Sequence, residues 1–280
     1  MSHHWRTAAV LALLAVVLPA RPARAQATEI RVKEPVTLPL PSGARVEVYG
    51  GSGHILLKKA SGPDVVVTVV KSQLAADMPV MMLKTPEGIT ICAVYPSKDP
   101  KKPHECVPGG KGRLYEGNPE KLPDIGINVE LPEGMAATAS MGAGEVRADA
   151  VTGDVVLYND RGTVRVNDGG VGRVQANVGM LGNILAVLAN GKKRRELRLN
   201  SPGMGRVRVI TPKDLSVRYR VSTQVAPLID PAMDIKPKTG LLFGSTSLGE
   251  AEVDLVVDTG ITGQFVFQYA LPPKKLAPTR

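Results

Sequence analysis

Hydrophobic and polar residues alternate with a period of two along much of the chain after residue 25. In the segments 44–49, 64–70, 125–131 and 252–258 every second residue is apolar. This alternation is typical of β-strands with one buried face. Helical patterns are nearly absent, because the one short turn in 74–82 is interrupted by Pro79. The pattern therefore predicts an all-β protein.

Short strand-plus-turn units recur every 8 to 13 residues in the second half of the chain. They are Glu145–Asp149, Val155–Asn159, Thr163–Asn167, Arg173–Asn177, Ala186–Asn190 and Glu196–Asn200. So regular a spacing predicts stacked units, each of which buries its apolar side against its neighbours. We therefore expect a β-solenoid, or single-stranded β-helix, with an additional N-terminal β section.

Glycines mark the corners of these units. Gly144, Gly162, Gly182 and Gly205 each precede a strand, with spacings of 18, 20 and 23 residues. Two strand-turn units thus form about one rung, and Gly or Asn at a corner fits the left-handed backbone that a tight turn requires.

The N-terminus reads as an export signal. Arg6 precedes an apolar run over residues 8–18, and Ala23-Arg24-Ala25 is an A-x-A cleavage site. The run is too short to span a membrane, and no later segment is long and apolar enough. We expect an exported protein in the periplasm, at the cell surface or outside the cell, with no transmembrane segment in the mature chain.

The remaining chain divides by composition. We expect an N-terminal β section at 26–95, a loop rich in Pro, Gly and Lys at 96–123, repeats at 124–270 and a flexible tail at 271–280. Residues 260–271 contain no evident cap, so the end of the stack is predicted to be open to self-association.

Two cysteines, Cys92 and Cys106, flank the start of the long loop. In an oxidising compartment such a pair favours a structural disulfide, which would staple the loop. The alternative is a reactive dithiol or a metal pair with His104, but one histidine and two cysteines make an incomplete zinc set.

Three arginines occupy equivalent positions in successive units. If the valines and alanines beside them point inward, then Arg147, Arg165 and Arg208 point outward, while Leu185 fills the same position in the unit between. Such a stripe suits phosphate or carboxylate groups of anionic glycans or lipid headgroups. A predicted loop extends it with Lys192, Lys193, Arg194 and Arg195. The alternative is a solvated face that deters aggregation, with Glu145 and Asp149 as partial partners.

Methionines precede several corner glycines. Met141, Met180 and Met204 are predicted to stack as gap-filling core residues, the alternative being a cluster that binds copper.

The composition gives little support for an enzymatic function. After residue 25 the chain has two histidines, His54 and His104, and it contains no nucleophile elbow and no carboxylate pair at glycosidase spacing. No metal or other cofactor is expected. The formal net charge of +9 falls to +6 without the three arginines of residues 1–25, which suits polyanionic envelope surfaces. With ten aromatic residues in an exported chain, nucleic acid is not an expected ligand.

A second set of motifs spans most of the mature chain. Thr90–Pro96 reads Thr-Ile-Cys-Ala-Val-Tyr-Pro, Cys106 follows it, and Ile127–Gly134 fits Ile-x-Val-x-Leu-Pro-x-Gly. Corners of the form Asn…Gly come next, at Asn159…Gly162, Asn177…Gly182 and Asn200…Gly205. This combination resembles a bacterial family of exported proteins called putative adhesins, related to the auto-transporter adhesin head domain. The resemblance implies a β-solenoid without an established activity, although this chain inserts residues into the tight Asn-Gly corner.

These observations favour a non-enzymatic envelope or surface protein, an adhesin-like module that binds or scaffolds through a repetitive face. Its partners would be anionic glycans, lipid headgroups or an envelope protein. A polysaccharide-acting enzyme on a β-helix and a purely structural spacer are the alternatives.

Overall fold

The structure is a computed structural model that describes residues 28–31, 34–110, 112–167, 172–190, 195–246, 251–260 and 262–270. The predicted signal peptide 1–25, the predicted tail 271–280 and the residues Lys192, Lys193 and Arg194 lie outside these ranges. Within the described ranges the regular structure consists of β-strands and a few 3₁₀ turns. The prediction of an all-β protein is confirmed.

The strands are β1 (Thr28–Arg31), β2 (Val36–Leu38), β3 (Arg45–Lys59), β4 (Val65–Lys71), β5 (Val80–Thr85), β6 (Gly88–Ala93), β7 (Ile125–Leu131), β8 (Ala136–Asp149), β9 (Val155–Asn167), β10 (Arg173–Val178), β11 (Asn183–Val187), β12 (Arg195–Ser201), β13 (Arg206–Thr211), β14 (Val217–Thr223), β15 (Leu228–Ile229), β16 (Gly240–Ser245), β17 (Val253–Thr259) and β18 (Gln264–Tyr269). The 3₁₀ turns are Gln73–Ala75, Pro108–Gly110, Pro119–Lys121 and Pro231–Met233.

Most strands pair in parallel and form two stacks, which are joined at the corners of β3, β8 and β9. We call these two stacks face A and face B. Face A consists of β7, the second halves of β3, β8 and β9, and then β11, β13, β18 and β15. Face B consists of β6, the first halves of β3, β8 and β9, and then β10, β12, β17 and β14. The long strands β3, β8 and β9 contribute to both faces, so each layer places one segment on face A and one on face B.

Apolar side chains line up across the layers because the pairing keeps a constant register. On face A, Val146 lies opposite Val164, followed by Ile184, Val207 and Phe265, all at most 1% exposed. Inward columns from both faces belong to one core cluster. Each buried side chain of this size contributes roughly 1.5–3 kcal/mol relative to an exposed one, so the columns supply most of the stabilisation.

The corner between the two faces is too tight for a side chain. Gly53, Gly144 and Gly162 are in register and have φ values of +115°, +113° and +127°. A Cβ atom on Gly144 would lie 2.0 Å from the carbonyl oxygen of Gly53, and one on Gly162 would lie 2.1 Å from that of Gly144. The buried side chain of Asn159 donates from Nδ2 to the same Gly144 oxygen at 2.7 Å. Backbone therefore stacks directly on backbone at this corner.

At the N-terminal end, the order of layers differs from the order of the chain. Strands β6 and β7 follow β3 in sequence but pair with one side of it, while β8 pairs in parallel along the other. Antiparallel strands then cover this end, β5 along β6 and β4 along β7. Because β3 and β8 are paired along nearly their whole length, the sheet continues from section 26–95 into section 124–270.

At the C-terminal end, too, the order of layers differs from the order of the chain. Strand β17 lies between β12 and β14, and β18 lies between β13 and β15. Strand β16 then runs antiparallel along β14. The absence of a cap in residues 260–271 therefore does not decide how this end is closed, since β18 is an internal strand and the outer strands at this end are β15 and β16. That the end self-associates stays a prediction.

The long loop is stapled as the sequence predicts. Cys92 and Cys106 form a disulfide whose two cysteines are buried. Beyond it, the backbone N–H of Gly109 donates to Oε2 of Glu47 on face B at 2.7 Å. The disulfide thus holds the loop 96–123 against the outer side of face B.

The three methionines do not behave alike. Met141 is 1% exposed and packs in the core, as predicted. Met180 and Met204 are 67% and 64% exposed, so their prediction as core residues is wrong. They occupy turns outside the strands, where the two-residue alternation that marks inward positions does not extend.

We expect Gly144→Ala to lower the free energy of unfolding by about 2–4 kcal/mol, because the added Cβ meets the Gly53 oxygen and the backbone keeps a positive φ. Gly43→Ala is the matched control, since Gly43 has φ +82° and an open Cβ position with nothing within 4 Å. The control isolates the backbone strain and should cost about 1 kcal/mol. Equal losses of stability in urea unfolding would contradict the close stacking.

Replacing both cysteines by Ala should lower the free energy of unfolding by about 3 kcal/mol, because the bond closes a loop with a sequence separation of 14 residues. Guanidinium unfolding measures the change, and the reduced wild-type protein serves as control. A midpoint that neither reduction nor substitution shifts would mean that the loop needs no staple.

Candidate functional site

The structure places the predicted arginine stripe in one column on the outer side of face A. Arg147 lies opposite Arg165, and Leu185 then lies between Arg165 and Arg208. Strands are spaced about 4.8 Å apart, so Arg165 and Arg208 start from points about 10 Å apart. The register expected from the sequence is therefore present, with the leucine in the position predicted for it.

Arg147 is already engaged by a carboxylate. Its Nε donates to Oδ1 of Asp149 at 2.7 Å, and its Nη2 lies 2.7 Å from Oδ2. Asn167 donates to the same carboxylate at 2.6 Å. The hydrogen bond to Asp149 raises the pKa of Arg147 above its ordinary value. Asp149 is thus the partner that the sequence indicated, and its carboxylate compensates the positive charge of Arg147.

Arg165 and Arg208 have no such counter-charge in the part of the chain that the structure describes. Among the described residues no carboxylate lies within 4.0 Å of either guanidinium. Arg208 donates from Nη2 to Oε1 of Gln268 at 3.1 Å, which leaves its charge uncompensated. The Nε atom of Arg165 is buried and has no hydrogen-bond partner in the described part of the chain. These two cations are the available part of the predicted stripe.

A third arginine, Arg206, lies on the same surface as Arg165 and Arg208. The sequence pattern did not predict it as a site residue. It is exposed on β13, two residues before Arg208 and therefore on the same face, about 7 Å away. It too has no carboxylate within 4.0 Å in the described ranges. The period-two pattern does place Arg206 on the outer side of its strand. It lies directly after the corner glycine, however, and other residue types occupy this position in the earlier units, so no column of arginines indicates it. We call Arg165, Arg206 and Arg208 the arginine triad.

The predicted basic loop does not add Arg195 to this surface. Arg195 is the first residue of β12 on face B, is 3% exposed, and donates from Nη2 to the carbonyl oxygen of Ala189. The prediction that it lines an exposed loop is wrong, because the strand begins one residue earlier than the pattern indicates. Lys192, Lys193 and Arg194 lie outside the described residues.

Face B carries charges of both signs that are paired with each other. Arg173 lies 3.2 Å from Oε2 of Glu196, and Arg198 contacts the other oxygen of that carboxylate. Arg218 lies 3.6 Å from Oδ1 of Asp254. Three arginines on the outer side of face B are therefore paired, whereas the exposed Arg220 of the same face has no carboxylate within 4.0 Å in the described part of the chain.

The carboxylates of face B converge in one groove of about 310 Å³. Asp154, Glu196 and Asp254 line it together with Arg173. Asp154 accepts from the backbone N–H of Arg173 at 3.1 Å, and the other two carboxylates are paired with arginines as described. Each of the three carboxylates in this groove is thus engaged by an arginine or by a backbone N–H group.

Within the described residues no group of three or more His, Cys, Asp and Glu side chains is arranged to hold a metal ion. The Nδ1 atom of His104 lies 2.8 Å from the carbonyl oxygen of Tyr95. No helix in the described ranges is long and apolar enough to cross a membrane.

Tyrosines gather where the stapled loop meets face B. Burial and the carboxylate of Glu47 raise the pKa of Tyr49 to about 12. Burial, followed by the charge of Asp160, also raises the pKa of Tyr115 and of Tyr158. All three phenols therefore stay neutral at physiological pH.

Comparison with known proteins leaves the family open. No family model matches the chain, and no curated protein matches it. A solved structure that is similar is that of a putative cell adhesion protein from Clostridium sporogenes, with 15% identity and a TM-score of 0.48 over 88% of this chain and 100% of that one. At this degree of similarity nothing about binding or activity passes from that protein to this chain. The resemblance to the putative adhesins stays a prediction.

We expect the protein to lose stability as the pH rises from 10 to 12, in part through Tyr49. The unfolded chain releases this proton near pH 10, whereas the folded protein keeps it until the pH reaches about 12. The folded state thus binds more protons in this window, so its stability falls with pH. Tyr49→Phe should flatten the fall in the free energy of unfolding between pH 9 and 12. An unchanged slope would show that the Tyr49 phenol titrates normally.

Proposed function

We propose that this chain is a non-enzymatic β-solenoid of the cell envelope or cell surface, which binds anionic glycans or lipid headgroups through the arginine triad. The solenoid part rests on the parallel stacking of layers at constant register, with one segment of each layer on either face. Such a stack presents a flat and extended surface, which suits a repetitive polymer or a membrane surface better than a single small molecule.

The observation that carries the binding proposal is that no carboxylate of the described residues lies within 4.0 Å of the three guanidinium groups of the arginine triad. Arg147, Arg173, Arg198 and Arg218 each have a carboxylate partner, whereas Arg220 on face B is a single exposed arginine without one among the described residues. Three neighbouring cations without partners repel one another, and an anionic ligand relieves this repulsion.

The geometry of the triad fits repeated anionic groups. Arg206 and Arg208 are separated by about 7 Å along one strand, and Arg165 by about 10 Å across two strands. Half-buried Leu185 lies between Arg165 and Arg208 and contributes an uncharged, apolar surface there. Planar guanidinium groups bind phosphate, sulfate and carboxylate oxygens with paired hydrogen bonds, so each arginine engages one group of a polymer or of a lipid layer.

The absence of catalysis is part of the proposal. A polysaccharide-acting enzyme would use two carboxylates that converge on a glycosidic bond. The described residues that come nearest to this are Asp154, Glu196 and Asp254, whose oxygens are engaged by arginines or backbone. Incubation with envelope polysaccharides is therefore expected to release no reducing ends.

We expect the triple variant Arg165→Ser, Arg206→Ser and Arg208→Ser to bind anionic surfaces about a hundredfold more weakly, since each arginine near such a surface contributes about 1 kcal/mol. Two arms distinguish the sources of the anion: vesicles with and without phosphatidylglycerol, and soluble heparin or polygalacturonate. Binding is measured by co-sedimentation and by calorimetry at two salt concentrations, because screening weakens this interaction.

A matched control removes the same charge from the other face. Arg173→Ser, Arg198→Ser and Arg218→Ser also delete three positive charges, but from arginines paired with carboxylates. Equal losses in the two triple variants would reduce the effect to net charge and refute the triad. Asp149→Asn tests the opposite direction, because it frees Arg147 and should strengthen binding. No binding by the wild-type protein in either arm would favour a structural spacer.

A further inference from the structure

A small cavity on face B is walled by aromatic rings, and nothing in the proposed function uses it. Tyr49 lies opposite Ser140, and Ser140 lies opposite Tyr158, so two large side chains flank a small one across three strands. The two tyrosines start about 10 Å apart. The small Ser140 leaves the space between them unfilled.

The stapled loop closes a third side of this space. Tyr115 lies in the loop, and it approaches so closely that a Cβ atom on Gly142 would lie 2.4 Å from its Oη atom. A Cβ atom on Gly110 would likewise lie 2.8 Å from the ring of Tyr49. Glycines at both positions thus let the rings pack tightly against backbone. The space between these side chains is a partly open cavity of about 140 Å³.

One carboxylate faces the cavity. Asp160 is among its lining residues, and its Oδ1 accepts a long hydrogen bond of 3.5 Å from the hydroxyl of Tyr158. Its Oδ2 lies 3.9 Å from Nε of Arg161, a distance at the limit of an ion pair between half-exposed groups. The other lining residues that the structure describes are apolar or neutral and include Met141 and Leu114.

Three neutral tyrosines and one carboxylate are the groups that bind an organic cation. Ring faces attract a cation within about 6 Å of their centres, and a group midway between Tyr49 and Tyr158 would lie about 5 Å from each wall. A quaternary ammonium suits the site best, because its methyl groups pack against the three rings while its charge is balanced by the one carboxylate. We propose that the cavity formed by Tyr49, Tyr115, Tyr158 and Asp160 binds a small quaternary ammonium group, such as the trimethylammonium head of choline.

Choline and its uncharged isostere, 3,3-dimethyl-1-butanol, provide the decisive comparison because they share one shape. With ring-¹³C tyrosine in the protein, NMR follows the six tyrosines of the chain separately. We expect choline to shift the signals of Tyr49, Tyr115 and Tyr158 saturably, and the neutral isostere to shift them at least about tenfold more weakly. Equal binding of both compounds, or shifts of none of the three signals, would overturn the proposal.

Substitutions of Tyr158 distinguish the contribution of its aromatic ring to binding from that of its hydroxyl group. Tyr158 is 39% exposed, so its replacement should be tolerated. Tyr158→Leu should weaken choline binding about tenfold, whereas Tyr158→Phe, which keeps the ring, should retain it within about threefold. Asp160→Asn should weaken choline binding without affecting the isostere. Tyr269→Leu, on face A, is the control and should leave binding unchanged. If Tyr158→Phe lost as much affinity as Tyr158→Leu, the ring face would not be the binding element.

This site is independent of the arginine triad, because the two lie on different faces. The triple Ser variant of the triad should therefore bind choline as the wild-type protein does. Choline binding that survives without any binding to anionic surfaces would refute the proposed function alone, and the reverse result would refute the cation site alone.

Discussion

The structure depends on the direct contact of backbone with backbone at the corner between its two faces. Gly144 stacks on Gly53, and Gly162 stacks on Gly144, at separations that leave no room for a Cβ atom. Parallel strands pair at about 4.8 Å, and a chain that turns sharply between two faces must keep this spacing at the turn as well. Glycine meets the requirement, and the amide of Asn159 satisfies a carbonyl oxygen that the turn leaves exposed.

A constant register turns positions in the sequence into columns in space. An inward column of aliphatic residues forms the core, and the outward columns take whatever chemistry the sequence places in them. The same rule produces the row of Arg165, Leu185 and Arg208 on one face and the row of Tyr49, Ser140 and Tyr158 on the other. In each case a smaller or uncharged residue between two larger ones shapes the surface, so spacing between functional groups follows from the stacking distance.

Much of this arrangement was predictable from the sequence, and the exceptions have physical causes. Alternation with period two separates inward from outward residues, which is why the column of Arg147, Arg165 and Arg208 and the all-β fold were expected correctly. It says nothing about which layer lies beside which, because strand order depends on distant pairings such as that of β12 with β17. It also ends at the turns, where Met180 is exposed. How the loop 96–123 lies over face B depends on tertiary contacts that no periodicity encodes.

The position of the last strands has a consequence for the order in which the molecule folds. Val217–Thr223 precedes Val253–Thr259 in the chain, yet the later segment lies between the earlier one and β12. A chain that folds from its N-terminal end can add layers in order as far as β12 and β13, and the next layer then requires its final strands. Until those strands pair, the newest parallel edges remain unpaired, and such edges readily pair with other chains. The C-terminal strands β17 and β18 therefore insert last, between strands that precede them in the chain, and they complete the interior of the stack.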